Sequence, residues 1–168
     1  MRKPRLKKPG SEYHLIARIN RKEFIFVENE IKDMFLLFLR KAKSKYHFSV
    51  RTFCIMDNHV HLIIKPLGNT DLSRLMQWTL SKFAREFNKR KGYIGHVFYD
   101  RFKSIIIKDR SQLYTTILYI WNNAAVFTKN NIKEYKYSGY YHLQKNIFQV
   151  IDPPDPDTLY CLEIMYNQ

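Results

Sequence analysis

The chain has 168 residues, with 29 Lys and Arg against 15 Asp and Glu, and its formal charge of +14 exceeds what solubility requires, pointing to a polyanionic partner such as nucleic acid. Hydrophobic residues make up 45% and aromatic residues 15%, enough for one packed domain over residues 1–168 and too much for a disordered chain. No apolar run approaches the roughly 20 residues that cross a bilayer and no hydrophobic signal core follows the basic start, so no membrane partner and a cytoplasmic location are expected.

The opening residues 1–10 read as a flexible basic arm: Arg2, Lys3, Arg5, Lys7 and Lys8 stand there with no acid, and two prolines discourage a helix. Tyr13 to Asn20 alternates as a half-buried strand does, and Phe24 to Val27 extends or repeats that pairing. From Asn29 to Lys45 the positions Ile31, Met34, Phe35, Phe38, Leu39 and Ala42 recur at helical spacing. Phe48 to Met56 is strand-like, Asp57-Asn58 turns the chain, and Val60 to Lys65 forms the second arm of a hairpin. A second helix spans Asp71 to Lys91 and stops at Gly92. Val97 to Ile107 predicts a further strand, and Ser111 a cap for a third helix from Gln112 to Phe127. Beyond Ser138 the pattern weakens into a C-terminal extension over 139–168, with the turn-rich stretch Asp152-Pro-Pro-Asp-Pro-Asp157. Cys54 and Cys161 are too few for a disulfide framework. This order predicts an α+β fold, an antiparallel sheet with helices packed on one face, of ferredoxin-like or RNA-recognition-like plan.

Two constellations carry chemistry. In a strand, residues two apart share a face, so His59 and His61 project together while Val60, Leu62 and Ile64 project the other way. A pair of neutral imidazoles suits a divalent transition metal, although a bare His-x-His is more often just an ordinary surface strand. On the third helix, Tyr114, Ile117, Leu118, Trp121 and Ala125 form the apolar stripe, whereas Tyr119 and Asn123 lie off it, one turn apart on a common face. An off-stripe tyrosine is commonly a surface aromatic. Were the helix laid across the histidine face, the amide would complete a His-His-amide site beside the phenol. Between Arg74 and Arg110 there are ten Lys or Arg against three acids, interleaved with aromatics that can stack unpaired bases.

Four ordered blocks from about Pro4 to Ser138 resemble the single-tyrosine HUH transposases, especially the repeat-associated tyrosine transposase branch of bacteria. These are Tyr13-His14 with Arg18-Ile19-Asn20-Arg21; Met56-Asp57-Asn58-His59-Val60-His61-Leu62, with aspartate where proline is usual; Gly95-His96-Val97-Phe98-Tyr99-Asp100-Arg101-Phe102-Lys103-Ser104; and Tyr119-Ile120-Trp121-Asn122-Asn123. One departure follows the last block: relatives carry a Pro-Val-Arg-Ala-Gly-like segment, this chain Ala124-Ala125-Val126-Phe127-Thr128, without the arginine that would meet DNA.

The resemblance implies a single HUH domain that cleaves and rejoins single-stranded DNA at hairpins or palindromic repeats. Tyr119 would be the nucleophile forming a 5′-phosphotyrosine, and His59, His61 and Asn123 would hold one Mg²⁺ or Mn²⁺. DNA contacts would come from Arg2, Lys3, Arg5, Lys7, Lys8, Arg18, Asn20, Arg21, Arg74, Lys82, Arg85, Arg101 and Lys103. Small insertion-sequence members work as dimers that exchange the tyrosine helix and repeat-associated members as monomers, so monomer and homodimer both stay open. Two rival classes remain: a non-catalytic or domesticated nucleic-acid-binding module, and a metal nuclease that uses water as nucleophile.

Overall fold

Four strands pair antiparallel in the order β2-β3-β1-β4: β1 (Tyr13–Arg18), β2 (Phe48–Ile55), β3 (His59–Pro66) and β4 (Lys103–Ile106). The computed structural model describes residues 8–129 and 131–166. β2 and β3 form the expected hairpin through Asp57-Asn58, closed by the Met56 N–H donating to the His59 carbonyl at 2.8 Å. β1 lies along β3 with Tyr13 opposite Ile64 and Arg18 opposite His59. Side chains alternate along a strand, so this register sorts the sheet into two faces. Tyr13, Leu15, Ala17, Val60, Leu62 and Ile64 share one, all buried; His14, Ile16, Arg18, His59, His61 and Ile63 share the other.

The apolar face needs a cover, and α1 (Asn29–Lys43) and α2 (Leu72–Lys91), which pack together, carry the apolar stripes to supply it. Phe26, Phe35 and Phe83 interlock there at ring separations of 5.3–5.7 Å. α2 starts where its cap dictates: the Asp71 carboxylate accepts from the Ser73 and Arg74 N–H groups, and Gly92 ends the helix at a φ of 67°.

α3 (Arg110–Asn122) crosses the other face. Its seat is Trp121, fully buried, whose indole N–H donates to Thr52 Oγ1 at 2.8 Å. Thr52 pairs with Ile63 and Cys54 with His61, so the indole is anchored on the histidine-bearing side. The α+β antiparallel sheet is thus as expected; α1 and α2 form the layer on one face, and the tyrosine-bearing helix occupies the opposite one.

Several local readings change. Residues 24–27 form a 3₁₀ turn (Ile25–Val27) rather than a strand, because Phe26 dives into the core and its N–H is taken by the Asp57 carbonyl at 3.0 Å. The strand expected over 97–107 contracts to β4. Val97 and Tyr99 are instead held by single backbone bonds to Asn20 and Arg18, and Asp100 folds back to accept the Arg101 N–H. Asp109, not Ser111, caps α3, accepting from the Gln112 N–H at 2.8 Å, and the helix tightens into a 3₁₀ turn over Asn123–Phe127.

Past Ser138 the chain is more ordered than its sequence pattern indicates. α4 (Gly139–Gln144) starts against β2, where a Cβ on Gly139 would stand 2.2 Å from Thr52 Oγ1. α5 (Pro156–Tyr166) packs on α3 through Tyr160 and Tyr114, and Asp157 accepts the Tyr114 hydroxyl at 2.9 Å. Arg51 on β2 ties this segment down, donating to both Glu12 oxygens at 2.8 and 2.6 Å, to Thr158 at 2.8 Å and to Asp155. No helix among the described residues is long and apolar enough to cross a membrane.

Candidate active site

β3 begins at His59, so His59 and His61 emerge two residues apart on the face that α3 covers. Their Nε2 atoms are 3.0 Å apart, with ring planes at 79°. Two imidazole nitrogens bound at right angles to one ion, each about 2.0–2.1 Å from it, also stand about 3 Å apart. That spacing is also hydrogen-bond distance, so with no ion between them one ring donates to the other, and the same spacing fits a shared divalent cation. Each ring is held from behind: Asn58 Oδ1 lies 2.6 Å from His59 Nδ1, and His14 Nε2 lies 2.9 Å from His61 Nδ1. Cys54, opposite His61 in β2, is fully buried, and burial pushes its thiol up to about 12.

The electrostatics favour bare nitrogens. Burial, then the charges of His59, His14 and Arg18, push His61 down to about 3. Burial lowers His59 as well, helped by Arg18, and lowers His14, helped by Lys103. A desolvated imidazole beside cations resists protonation, which is the state a metal ligand needs.

The seating of Trp121 decides where Tyr119 goes. The buried stripe of α3 is Leu113, Ile117, Ile120, Trp121 and Ala124, rotated from the expected Tyr114, Ile117, Leu118, Trp121 and Ala125. Tyr119 is off either stripe; its ring stands 5.4 Å from His61 at 89° and 6.3 Å from His14, with 51% of its surface open. Asn123 lies one turn on, and its amide nitrogen donates to the Tyr119 carbonyl at 3.1 Å. No hydrogen bond described for Asn123 joins it to either imidazole. Among the described residues no group of three His, Cys, Asp or Glu side chains is placed to hold an ion.

The cations separate into those near the imidazoles and those elsewhere. Arg18 and Lys103 share the histidine face, Lys103 opposite Ile16. A cleft of about 590 Å³ opens beside His59, walled by Arg18, Arg21, Lys22, Asn58 and Tyr99. Arg21 and Lys22 reach into it from left-handed backbone at φ 51° and 57°, and Tyr99, 74% exposed, is pinned by its N–H to the Arg18 carbonyl at 3.0 Å. Asn20 lines the neighbouring cleft, donating to the His96 carbonyl at 3.3 Å. Arg101 is exposed just before β4. Arg74, Lys82 and Arg85 stand on α2, in the helical layer across the sheet from the imidazoles. The Lys8 N–H donates to the Tyr13 hydroxyl at 2.8 Å, while Arg2, Lys3, Arg5 and Lys7 lie outside the described residues.

His14 and Asn58 stand in the resembling blocks and Tyr99 also among the interleaved aromatics, but the sequence assigned none of the three a place beside the imidazoles. His14 is a polar position of the alternating first strand, but only the β1–β3 register brings it to His61. Tyr99 is one aromatic among many until the backbone bond to Arg18 places it.

A family model described as Transposase IS200 like matches residues 7–123. The fold is similar to that of a REP-associated tyrosine transposase bound to a REP hairpin, with a TM-score of 0.71 and 16% identity over 92% of each chain. It is also similar to a candidate transposase from Deinococcus radiodurans R1, with a TM-score of 0.51 and 16% identity over 68% of this chain and 92% of that one. At such identities the likeness concerns the fold. A comparison with curated protein sequences gives no match.

Proposed function

Because the chain belongs to the IS200-like transposase family, enzymes of DNA strand cleavage and transfer, we propose that it cuts and rejoins single-stranded, hairpin-forming DNA through a covalent bond to Tyr119. The observation that carries this reading is the half-open phenol ring held 5.4 Å from the buried imidazole of the His59–His61 pair. A tyrosine serving only as a surface aromatic has no reason to cover His61, a polar group that the rest of the fold keeps from solvent.

His59 and His61, joined by the amide oxygen of Asn123, would hold one Mg²⁺ or Mn²⁺. Bound there, such an ion would draw charge from the scissile phosphate and polarise it. Tyr119 Oη attacks the phosphorus and gives up its proton. The 3′-oxygen of the neighbouring nucleotide leaves and takes a proton up, so the products are a 5′-phosphotyrosine and a free 3′-hydroxyl. One phosphodiester replaces another, and a second strand's 3′-hydroxyl reverses the step without ATP. Arg18 and Lys103 set positive charge on the same face as the reacting phosphate. The cleft beside His59 suits a nucleotide next to that phosphate, with Tyr99 to stack a base and Arg18, Arg21 and Lys22 to meet the backbone. Asn20 and Arg101 continue this path. Arg74, Lys82 and Arg85, with Arg2, Lys3, Arg5, Lys7 and Lys8, would meet hairpin-stem phosphates away from the cutting point. One copy in the cytoplasm suffices, since Tyr119 already stands at its own chain's histidines; gel filtration with and without DNA should give a monomer mass.

The test is a labelled hairpin oligonucleotide incubated with the protein and Mg²⁺ or Mn²⁺, then run on SDS gels. Wild type should yield an SDS-resistant adduct, Tyr119→Phe none, and His59→Ala far less. A Tyr119→Phe protein that cuts at the wild-type rate would overturn the reading in favour of water as nucleophile.

A further inference from the structure

We propose that His14 is a positioning residue for the metal-binding pair: it accepts the His61 Nδ1–H and so fixes the tautomer that leaves His61 Nε2 bare toward His59. This rests on the reading of His59 and His61 as metal-binding residues.

The geometry is that of a bond made rim to rim. His14 Nε2 and His61 Nδ1 are 2.9 Å apart, the ring planes differ by only 28°, and the centroids are 5.1 Å apart, too far for face stacking and right for two imidazoles joined in nearly one plane. The in-plane lone pair of His14 therefore points along the His61 N–H. Both rings are buried, at 8% and 2% exposure, so water cannot substitute for the partner. The backbone fixes the arrangement: His14 pairs with Ile63 and Ile16 with His61, which makes His14 and His61 diagonal neighbours on one face.

Proton accounting then assigns each nitrogen. His61 has two ring nitrogens, and Nε2, 3.0 Å from His59 Nε2, is the one aimed at the shared point. For Nε2 to be a donor atom, the ring's single proton must sit on Nδ1, and among the described residues His14 is the group there to accept it. His59 is served in the same way by Asn58 Oδ1 at 2.6 Å. The two ligand rings thus have different outer partners, an amide for the half-exposed ring and an imidazole for the buried one. Without the His14 acceptor, the His61 N–H would be a buried orphan, and the tautomer with its proton on Nε2, which cannot bind an ion, would gain ground.

The experiment is titration of the full-length protein with Mn²⁺, read by calorimetry or by the electron paramagnetic resonance of free Mn²⁺, with no DNA and no turnover. His14→Ala should weaken Mn²⁺ binding about 10- to 100-fold. His14→Gln, whose amide oxygen can still accept, should recover much of that loss. Repeating His14→Ala in a His61→Ala background should change Mn²⁺ binding no further, because His14 acts only through His61. A merely structural role predicts equal losses in both backgrounds and no rescue by Gln, and that pattern would overturn the proposal. Wild-type protein that binds no Mn²⁺ would overturn the metal reading itself, whereas wild-type binding left unchanged by His14→Ala overturns only the role of His14.

Discussion

Replacing Thr52 with Val isolates the contact that places the nucleophile. Valine keeps the shape of threonine but removes the oxygen that takes the Trp121 indole N–H at 2.8 Å. Both residues are fully buried, so no water replaces the lost acceptor and the donor is orphaned. An unsatisfied buried donor costs about 1–3 kcal/mol. For a chain of this size each kcal/mol lowers Tm by about 2–4 °C, so a fall of roughly 2–12 °C is expected. Trp121→Phe removes the donor as well, and the double variant should recover about 0.5–3 kcal/mol of coupling. Urea unfolding of the four proteins measures this, and adduct formation on a hairpin oligonucleotide reads the consequence for Tyr119, two residues from the indole. A Thr52→Val protein within about 0.5 kcal/mol of wild type, with wild-type adduct yield, would refute the view that this bond seats α3.

Acid should weaken the fold through the buried imidazoles. His61 ordinarily titrates near 6.5 but is held at about 3 when folded, so between those values the unfolded chain binds a proton that the native state refuses. Stability therefore falls as pH drops below about 6.5, by roughly 2 kcal/mol from this residue by about pH 5; urea unfolding across that range should show a shallower loss for His61→Gln, and an equal loss would contradict the assignment. Arg51→Met strips the partner from Glu12 and Asp155. A broken buried pair costs about 3–5 kcal/mol, and the partial exposure of Asp155 brings the expectation to about 2–4, with faster proteolysis after residue 150 as the local sign. Burial alone would raise the Asp155 carboxyl, but hydrogen bonds from Arg51 and Thr158 win and hold it below its ordinary value. That contribution is present above the usual aspartate range and should vanish as pH falls through the lowered value. Gly139→Ala should destabilise by about 1–3 kcal/mol, because its new Cβ meets the Phe53 backbone N at 2.9 Å as well as the Thr52 hydroxyl; a neutral thermal melt would show that α4 can shift away.

Much of this molecule is written locally. The helical spacing of Ile31, Met34, Phe35 and Leu39, the Asp71 cap and the Gly92 stop define α1 and α2 without outside help. The Asp57-Asn58 turn and the two-residue period give the hairpin and put His59 and His61 on one face. The same logic takes Tyr119 off the stripe of its helix. Local pattern fails where a segment answers to distant partners. Phe24 to Val27 reads as a strand until Phe26 finds Phe35 and Phe83, and the last residues read as weakly structured until Arg51 gathers Asp155 and Thr158.

The sequence by itself determined which chemical groups exist and which of them share an element's face, because periods of two and 3.6 residues are properties of the backbone. Only the tertiary structure decided which faces meet. The β1–β3 register set His14 behind His61, and the Trp121–Thr52 bond laid the tyrosine helix over the imidazoles rather than beside α1 and α2. Those choices depend on pairings 47 and 69 residues apart, which no local period encodes.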